Sequence, residues 1–210
     1  MNAPVIHVVD DDASFRRAVG RLLEACGYEV AFYESGDQLA KNPPGCEPGC
    51  ILLDVQMAGL DGLQLQDHLA ALNSRLPIVF VTGQGDIPMS VRAIKAGADD
   101  FLSKPVSKHT LLPAIEHALA RYRENREQHD RLRALRDLVA TLTPRERQVF
   151  DLVVRGKLNK QVAYQLGAAE RTIKAHRHKV MEKLRAGSLA ELVSIAEQLG
   201  LRGASERRSA

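Results

Sequence analysis

The stretch Cys50–Gly62, CILLDVQMAGLDG, constrains this chain more than any other. Four apolar residues, Cys50 to Leu53, run directly into Asp54, and Met57 to Gly62 then break regular structure before a helical pattern begins. A short run apolar on both faces is what a central strand of a parallel sheet requires. Asp54 then stands at the carboxyl end of that strand, where open α/β sheets place ligands and chemistry. A lone Asp there would ordinarily do no more than cap the next segment. Asp54 has company, however. Val5 to Val9 is a second apolar strand and ends in Asp10-Asp11-Asp12. Ile78 to Val81 ends in Thr82-Gly83, and Phe101-Leu102-Ser103 ends in Lys104-Pro105.

Four strand ends thus deliver acidic residues, a hydroxyl and an ammonium to one rim of one sheet. Carboxylates gathered so closely cannot all stay ionised without a cation, and oxygen ligands of this kind suit Mg²⁺. With a metal and a lysine neutralising charge, Asp54 could attack a phosphoryl group in line and hold it as an acyl phosphate.

The rest of this half is consistent with that sheet. Phe15, Val19, Leu22, Leu23 and Cys26 recur at helical spacing, and Gly27 closes the helix. Tyr28 to Tyr33 reads as a strand, Ser35 to Lys41 as a weak helix, and Leu63, Leu65, Leu69 and Leu72 mark another helix. Pro88 opens a helix with Met89, Val91 and Ile94 that ends at Ala96-Gly97-Ala98. Strand starts near residues 5, 28, 50, 78 and 100 leave room for a helical crossover each time. That alternation predicts a doubly wound, five-stranded parallel sheet, flavodoxin-like, with helices on both faces.

On Asp10-Asp11, Asp54, Thr82 and Lys104-Pro105, in that order and on those elements, the first 120 or so residues resemble the response-regulator receivers of two-component signalling. TGQGDIPMSVRAIKAGADDFLSKP is similar to the FixJ branch in particular. The resemblance implies that Asp54 accepts phosphate from a histidine kinase. It implies that Asp11, Asp54 and the Gln56 backbone carbonyl hold Mg²⁺, with Asp10 in support. Thr82 and Lys104 would bind phosphoryl oxygens, and Phe101 would be the switch aromatic. Two positions depart from the pattern: Ala58 stands where the family usually has Pro, and Gln84 where this branch often has His. Both bear on loop rigidity and phosphoryl lifetime.

Charge separates a second domain from the first. Residues 1–124 carry a net −5 and residues 125–210 a net +8. The basic half suggests an anion-binding surface, with nucleic acid the leading partner and a solubilising surface the alternative. Three cysteines cannot pair completely, and no signal peptide precedes the first strand, so a reducing cytoplasm is expected. Cys46 and Cys50 lack a second Cys or His cluster for zinc. No apolar stretch approaches the roughly 20 residues needed to span a bilayer.

Leu111, Ile115, Leu119 and Tyr122 form a helical stripe. RENREQHDR, residues 123–131, has no apolar member, and Leu132, Leu135, Leu138 and Val139 resume the stripe. One long helix, or two separated by a frayed polar turn, should link the domains as a semi-rigid spacer. A coiled-coil dimer through the second stripe is the alternative.

Beyond it, Thr143-Pro144-Arg145-Glu146 has the form of a capping box with Pro at the first helical position. That helix turns Val149, Leu152 and Val153 inward and stops at Gly156. Lys160 to Leu166 is a short helix, Gly167 a turn, and Glu170 to Leu184 a longer helix with Ile173, Val180, Met181 and Leu184 inside. Its other face carries Lys174, Arg177, His178 and Lys179. Short helix, Gly-containing turn and basic helix is the helix-turn-helix order, whose second helix enters the major groove. On spacing alone a merely solvated charged face is an equal reading.

LTPRERQVFDLVVRGKLNKQVAYQLGAAERTIKAHRHKVMEKLR is similar to the NarL/FixJ, or LuxR-type, DNA-binding domain, with Leu142, Thr143, Arg145, Glu146, Gly156, Lys160, Ala163, Leu166, Thr172, Lys174, His176, Lys183 and Leu184 at favoured positions. The resemblance implies base contacts from Lys174, Ala175 and His178, and phosphate contacts from Lys160, Thr172, Arg177 and Lys179. Ala169 replaces the Ser that usually caps the recognition helix, a loss of about 1 kcal/mol. Ser188 to Leu199 reads as a fourth amphipathic helix and a dimerisation element.

The expected organisation is a receiver over 1–120, a helical linker over 121–140, a four-helix LuxR-type domain over 141–201 and a disordered tail over 202–210. The expected function is a phosphorylation-activated transcription regulator. Its partners would be a sensor kinase, promoter DNA, a second copy on phosphorylation, and RNA polymerase. An aspartyl-phosphate phosphatase is the enzymatic rival; it would need a carboxylate two residues after Asp54, where Gln56 stands, so no enzyme beyond slow autodephosphorylation is expected. A regulator whose receiver is a passive dimerisation module is the other rival.

Overall fold

A computed structural model describes residues 3–45, 47–83 and 87–201. Cys46, Gln84 and the tail at 202–210, each given a part above, lie outside the described residues. The chain divides into two units, Met1–Arg126 and Glu127–Ala210.

The first unit is a five-stranded parallel sheet of β1 (Val5–Val9), β2 (Glu29–Tyr33), β3 (Gly49–Leu53), β4 (Ile78–Thr82) and β5 (Asp100–Ser103). The strand order is β2-β1-β3-β4-β5, so the direction of winding reverses between β1 and β3. The crossover helices are α1 (Ala13–Ala25), α2 (Gly36–Lys41), α3 (Gly62–Ala71) and α4 (Ile87–Lys95). Alternate residues of the central strands serve opposite faces. Ile6, Val8, Cys50, Leu52, Val79 and Val81 pack with Val19 and Leu23 of α1 and with Leu111, Ile115 and Leu119. Val9, Ile51, Leu53, Ile78 and Phe80 pack with Leu39, Leu65, Leu69 and Ala93 of α2, α3 and α4. The uninterrupted apolar runs follow from this arrangement, since both faces of the sheet are covered. On α4 Ala93 is fully buried, whereas Val91 and Ile94 remain exposed.

The helix after β5, α5 (Lys108–Ala140), is a single element of 33 residues. Of the two forms compatible with the sequence, the continuous one is realised. Its second apolar stripe packs at its C-terminal end. Val139 is buried, with Leu135 and Leu138 against it, in the core of the second unit. The end of the expected 121–140 linker thus packs as core, because burying a stripe of apolar side chains against a helical bundle lowers the free energy relative to leaving it in water.

The second unit continues with α6 (Pro144–Val153), α7 (Asn159–Gln165), α8 (Glu170–Lys183) and α9 (Leu189–Gln198). Thr143 caps α6: its hydroxyl accepts from Glu146 N–H at 3.3 Å, and the Glu146 carboxylate accepts from Thr143 N–H at 2.9 Å. Phe150 joins Val149 and Val153 at the core, with Ile173 and Val180 of α8 and Leu184 just beyond it opposite. Gly167 takes a positive φ of 59° between α7 and α8, a conformation that costs glycine little. Ala169 makes no side-chain cap to α8, as its lack of a polar atom requires. The apolar face of α9, Leu192, Ile195 and Ala196, is buried within its own unit.

Candidate functional site

Strand register assembles the first site. Val9 pairs with Leu53, so Asp10 and Asp54 leave the sheet side by side, and Asp54 N–H donates to the Val9 carbonyl at 2.9 Å. Thr82 pairs with Ser103, and Lys104 N–H donates to the Thr82 carbonyl at 2.7 Å. The Lys104–Pro105 peptide is cis. All four elements therefore end on the same rim, at the point where the sheet's winding reverses.

The Lys104 ammonium donates to Asp10 Oδ2 at 2.6 Å and to Asp54 Oδ2 at 2.8 Å. Each carboxylate uses its other oxygen on a backbone donor: Asp10 Oδ1 accepts from Asp12 N–H at 2.9 Å, and Asp54 Oδ1 from Gln56 N–H at 3.1 Å. Asp10 and Asp54 are almost fully buried, and Asp11 is exposed at the mouth. Carboxylate oxygens of Asp10, Asp11 and Asp54 lie within 4.8 Å of one another, close enough to share a metal ion. Burial pushes the Asp10 carboxyl above its ordinary value despite the Lys104 and Asp12 donors. Burial opposes the Lys104 charge, but its two carboxylate partners outweigh this and raise its pKa. Three carboxylates against one ammonium leave an excess of negative charge that a hard divalent cation with oxygen ligands would offset.

The loop after Asp54 is held from several sides. Asp61 caps α3 in a reciprocal box with Gln64, at 2.8 and 3.1 Å, and Leu60 N–H donates to Asp37 Oδ2 at 3.1 Å. A side chain at Gly62 would run into the Asp54 carbonyl oxygen, so glycine alone lets α3 start directly beneath the site. Thr82 is fully buried. Phe101 is half-buried, its ring 6.1 Å from that of Phe80 and tilted to it.

Sequence reasoning missed two residues here. Arg16 donates from Nη1 to the Asp10 carbonyl at 2.5 Å and from Nη2 to Glu34 at 3.2 Å, fixing the strand end that carries Asp10. Phe15, read above only as part of an apolar stripe, lies with its ring centroid 4.2 Å from the Lys104 ammonium. Nothing in local periodicity distinguishes a ring facing the core from one facing a lysine.

The second site is the outer surface of α8. Thr172, Lys174, Ala175, His178 and Lys179 are exposed there, and Lys160 is exposed on α7. Lys174 and His178 lie one turn apart, and Lys174 pairs with Glu170 at 3.3 Å, an exposed contact that DNA could displace at little cost. Arg177 is half-buried and donates to Asn159 Oδ1 at 3.2 Å, bracing α8 against α7. Arg145 of α6 holds the end of α7, donating to the Leu166 carbonyl at 2.7 Å. Lys183 donates to Glu146 at 2.6 Å and to the Thr141 carbonyl at 3.2 Å. The Lys183 ammonium first, and then the Thr143 N–H, pull the Glu146 carboxyl down to about 2. Arg145, Glu146 and Lys183 stood out above as favoured positions, but their tasks required the fold. No helix among the described residues is long and apolar enough to cross a membrane.

A parallel sheet with a carboxylate-lined rim, followed in the same chain by a helix-turn-helix unit, is the make-up of a signal-responsive DNA-binding regulator. The comparisons agree: residues 6–116 match the response regulator receiver domain, and residues 140–196 match the bacterial regulatory proteins of the luxR family. The chain belongs to the FixJ-type two-component response regulators, which join a receiver to a LuxR-type DNA-binding domain. It is 46% identical over 197 residues to Nodulation protein W of Bradyrhizobium diazoefficiens, covering 94% of this chain and 87% of that one. To the transcriptional regulatory protein FixJ of the same organism it is 38% identical, covering 93% and 96%. Among solved structures, response regulator StyR matches with a TM-score of 0.84 at 44% identity, covering 94% of this chain and 100% of that one.

Proposed function

We propose that Asp54 is the phosphoacceptor of this regulator and that its phosphorylation promotes dimerisation and promoter binding. The observation that carries the reading is the pairing of Asp10 and Asp54 on one ammonium, with the Asp11 carboxylate within 4.8 Å. A carboxylate oxygen of Asp54 forms the new O–P bond while the P–N bond of a kinase phosphohistidine breaks, and the imidazole leaves with the electron pair. Asp11, Asp54 and the Gln56 carbonyl would hold Mg²⁺, with Asp10 in support. When bound, that ion offsets charge on the phosphoryl oxygens. Lys104 already stands at Asp54 and can follow those oxygens, and the Thr82 hydroxyl supplies a second contact.

Movement of Thr82 toward the phosphoryl group opens room for Phe101 to turn, which reshapes the surface of α4 and β5. The exposed Val91 and Ile94 on α4 supply apolar contact for a second copy. Two recognition helices would then engage one operator. Lys174, Ala175 and His178 would read base edges, and Lys160, Thr172, Arg177 and Lys179 would anchor phosphates. A cognate sensor histidine kinase upstream, RNA polymerase at the promoter, a cytoplasmic location and no enzymatic turnover beyond slow autodephosphorylation complete the reading. Labelling with acetyl phosphate and Mg²⁺ tests it: Asp54→Asn should abolish the label. Retention of an acid-stable, hydroxylamine-insensitive label in that variant would place the chemistry on another residue.

A further inference from the structure

An ammonium has three N–H donors, and two of those on Lys104 are taken by Asp10 and Asp54. The third side of the group faces the ring of Phe15, 4.2 Å from its centroid. This ring is not a mobile surface side chain. Phe15 lies in the first turn of α1, and its N–H donates at 3.3 Å to the Asp12 carboxylate that caps the helix. Asp12 N–H in turn donates to Asp10 Oδ1. One tight turn therefore carries both a carboxylate partner of the lysine and the aromatic face above it. The ring also packs on the core shared by α1 and α5, which sets its height.

We propose that Phe15 is a positioning residue for Lys104, its π face serving as the third partner of the ammonium. The negative face of an aromatic ring attracts a cation without accepting a proton, and the attraction is largest where water is excluded. Lys104 is only partly accessible, so the ring replaces water that would otherwise solvate the third donor. When Asp54 becomes an acyl phosphate, the carboxylate that held Lys104 is lost as a charged partner. The ring and Asp10 then keep the ammonium over the phosphoryl oxygens. A fixed cation loses little on reorganising, and the phosphorylated form gains from it. A leucine at this position would fill similar space without a quadrupole.

The proposal rests on the assignment of Lys104 to the phosphoryl group, and its test separates the two. In the full chain labelled with ¹³C-lysine, without Mg²⁺ or phosphodonor, the Lys104 methylene signals, assigned by their loss in Lys104→Met, should lie upfield of the other lysines. Ordinary shifts would overturn the contact. Calorimetric titration of beryllofluoride with Mg²⁺ then reads the function. Phe15→Leu should weaken binding roughly three- to tenfold, and Phe15→Tyr, which keeps the π face, should stay within about twofold of the parent. In the Lys104→Met background, Phe15→Leu should have no further effect. An equal loss in both backgrounds would show that the ring acts through packing and overturn the proposal alone. A Lys104→Met chain that binds as the parent would bring down the assignment of Lys104 and the proposal with it.

Discussion

Replacing Glu146 with Gln isolates the charge of one buried contact in the DNA-binding unit. The Gln amide oxygen can still accept from Thr143 N–H, so the capping box survives. The 2.6 Å ion pair to Lys183 does not. Lowering the carboxyl from an ordinary 4.5 to about 2 corresponds to about 3 kcal/mol of preference for the charged form. Part of that belongs to the retained Thr143 bond, and the Lys183 side chain is 34% exposed, where solvent screens the pair. A loss of about 1 to 2 kcal/mol is therefore expected for Glu146→Gln, and about 2 to 4 kcal/mol for Glu146→Ala, which removes the cap bond as well. Because the folded pKa is depressed, the contribution is complete above the unfolded value near 4.5. It fades as the pH falls through that value toward about 2. Amide hydrogen exchange of the segments 144–153 and 170–183 at pH 7 and near pH 3 reads the effect locally, without assuming that a two-unit chain unfolds in one step. Protection equal to the parent in Glu146→Gln at pH 7, or a deficit just as large near pH 3, would refute the reasoning.

Ala169→Ser should supply the missing cap of α8 and stabilise the unit by about 0.5 to 1 kcal/mol, read as slower exchange of its first-turn amides; no change would mean that the serine hydroxyl does not reach those amides. Lys174→Ala should cost roughly 1 to 3 kcal/mol at a cognate operator and relax preference at one base pair, whereas Lys179→Ala should weaken all sequences alike and flatten the salt dependence. Equal losses on cognate and random DNA for both would exchange the roles of readout and anchoring. Thr82→Ala should still accept phosphate but dimerise poorly in sedimentation with beryllofluoride and Mg²⁺. An unchanged monomer fraction in the parent, with and without beryllofluoride, would refute phosphorylation-linked dimerisation.

The features legible in sequence are those encoded within a few residues. Runs such as CILL and VIHVV read as central strands because a strand covered on both faces is apolar throughout, and the aspartate that ends each run marks the rim of the sheet. The five-stranded alternation and the Thr143–Glu146 capping box are local patterns of the same kind, and the structure has them where the pattern places them. Patterns give the period and the face of an element but not its partner. Only the parallel register brings Asp10 and Asp54 onto Lys104, which is 94 and 50 residues away along the chain. The same limit applies to the second stripe of α5, which reads in sequence as a spacer, with a coiled coil the alternative, and whose end packs as core where neighbouring helices offer it apolar surface. It applies to Val91 and Ile94, which share the apolar pattern of α4 but stay exposed while Met89 and Ala93 pack on the sheet core. Phe15 shows the limit most sharply: its spacing announces an inward-facing ring, and tertiary packing alone decides that the ring faces a cation.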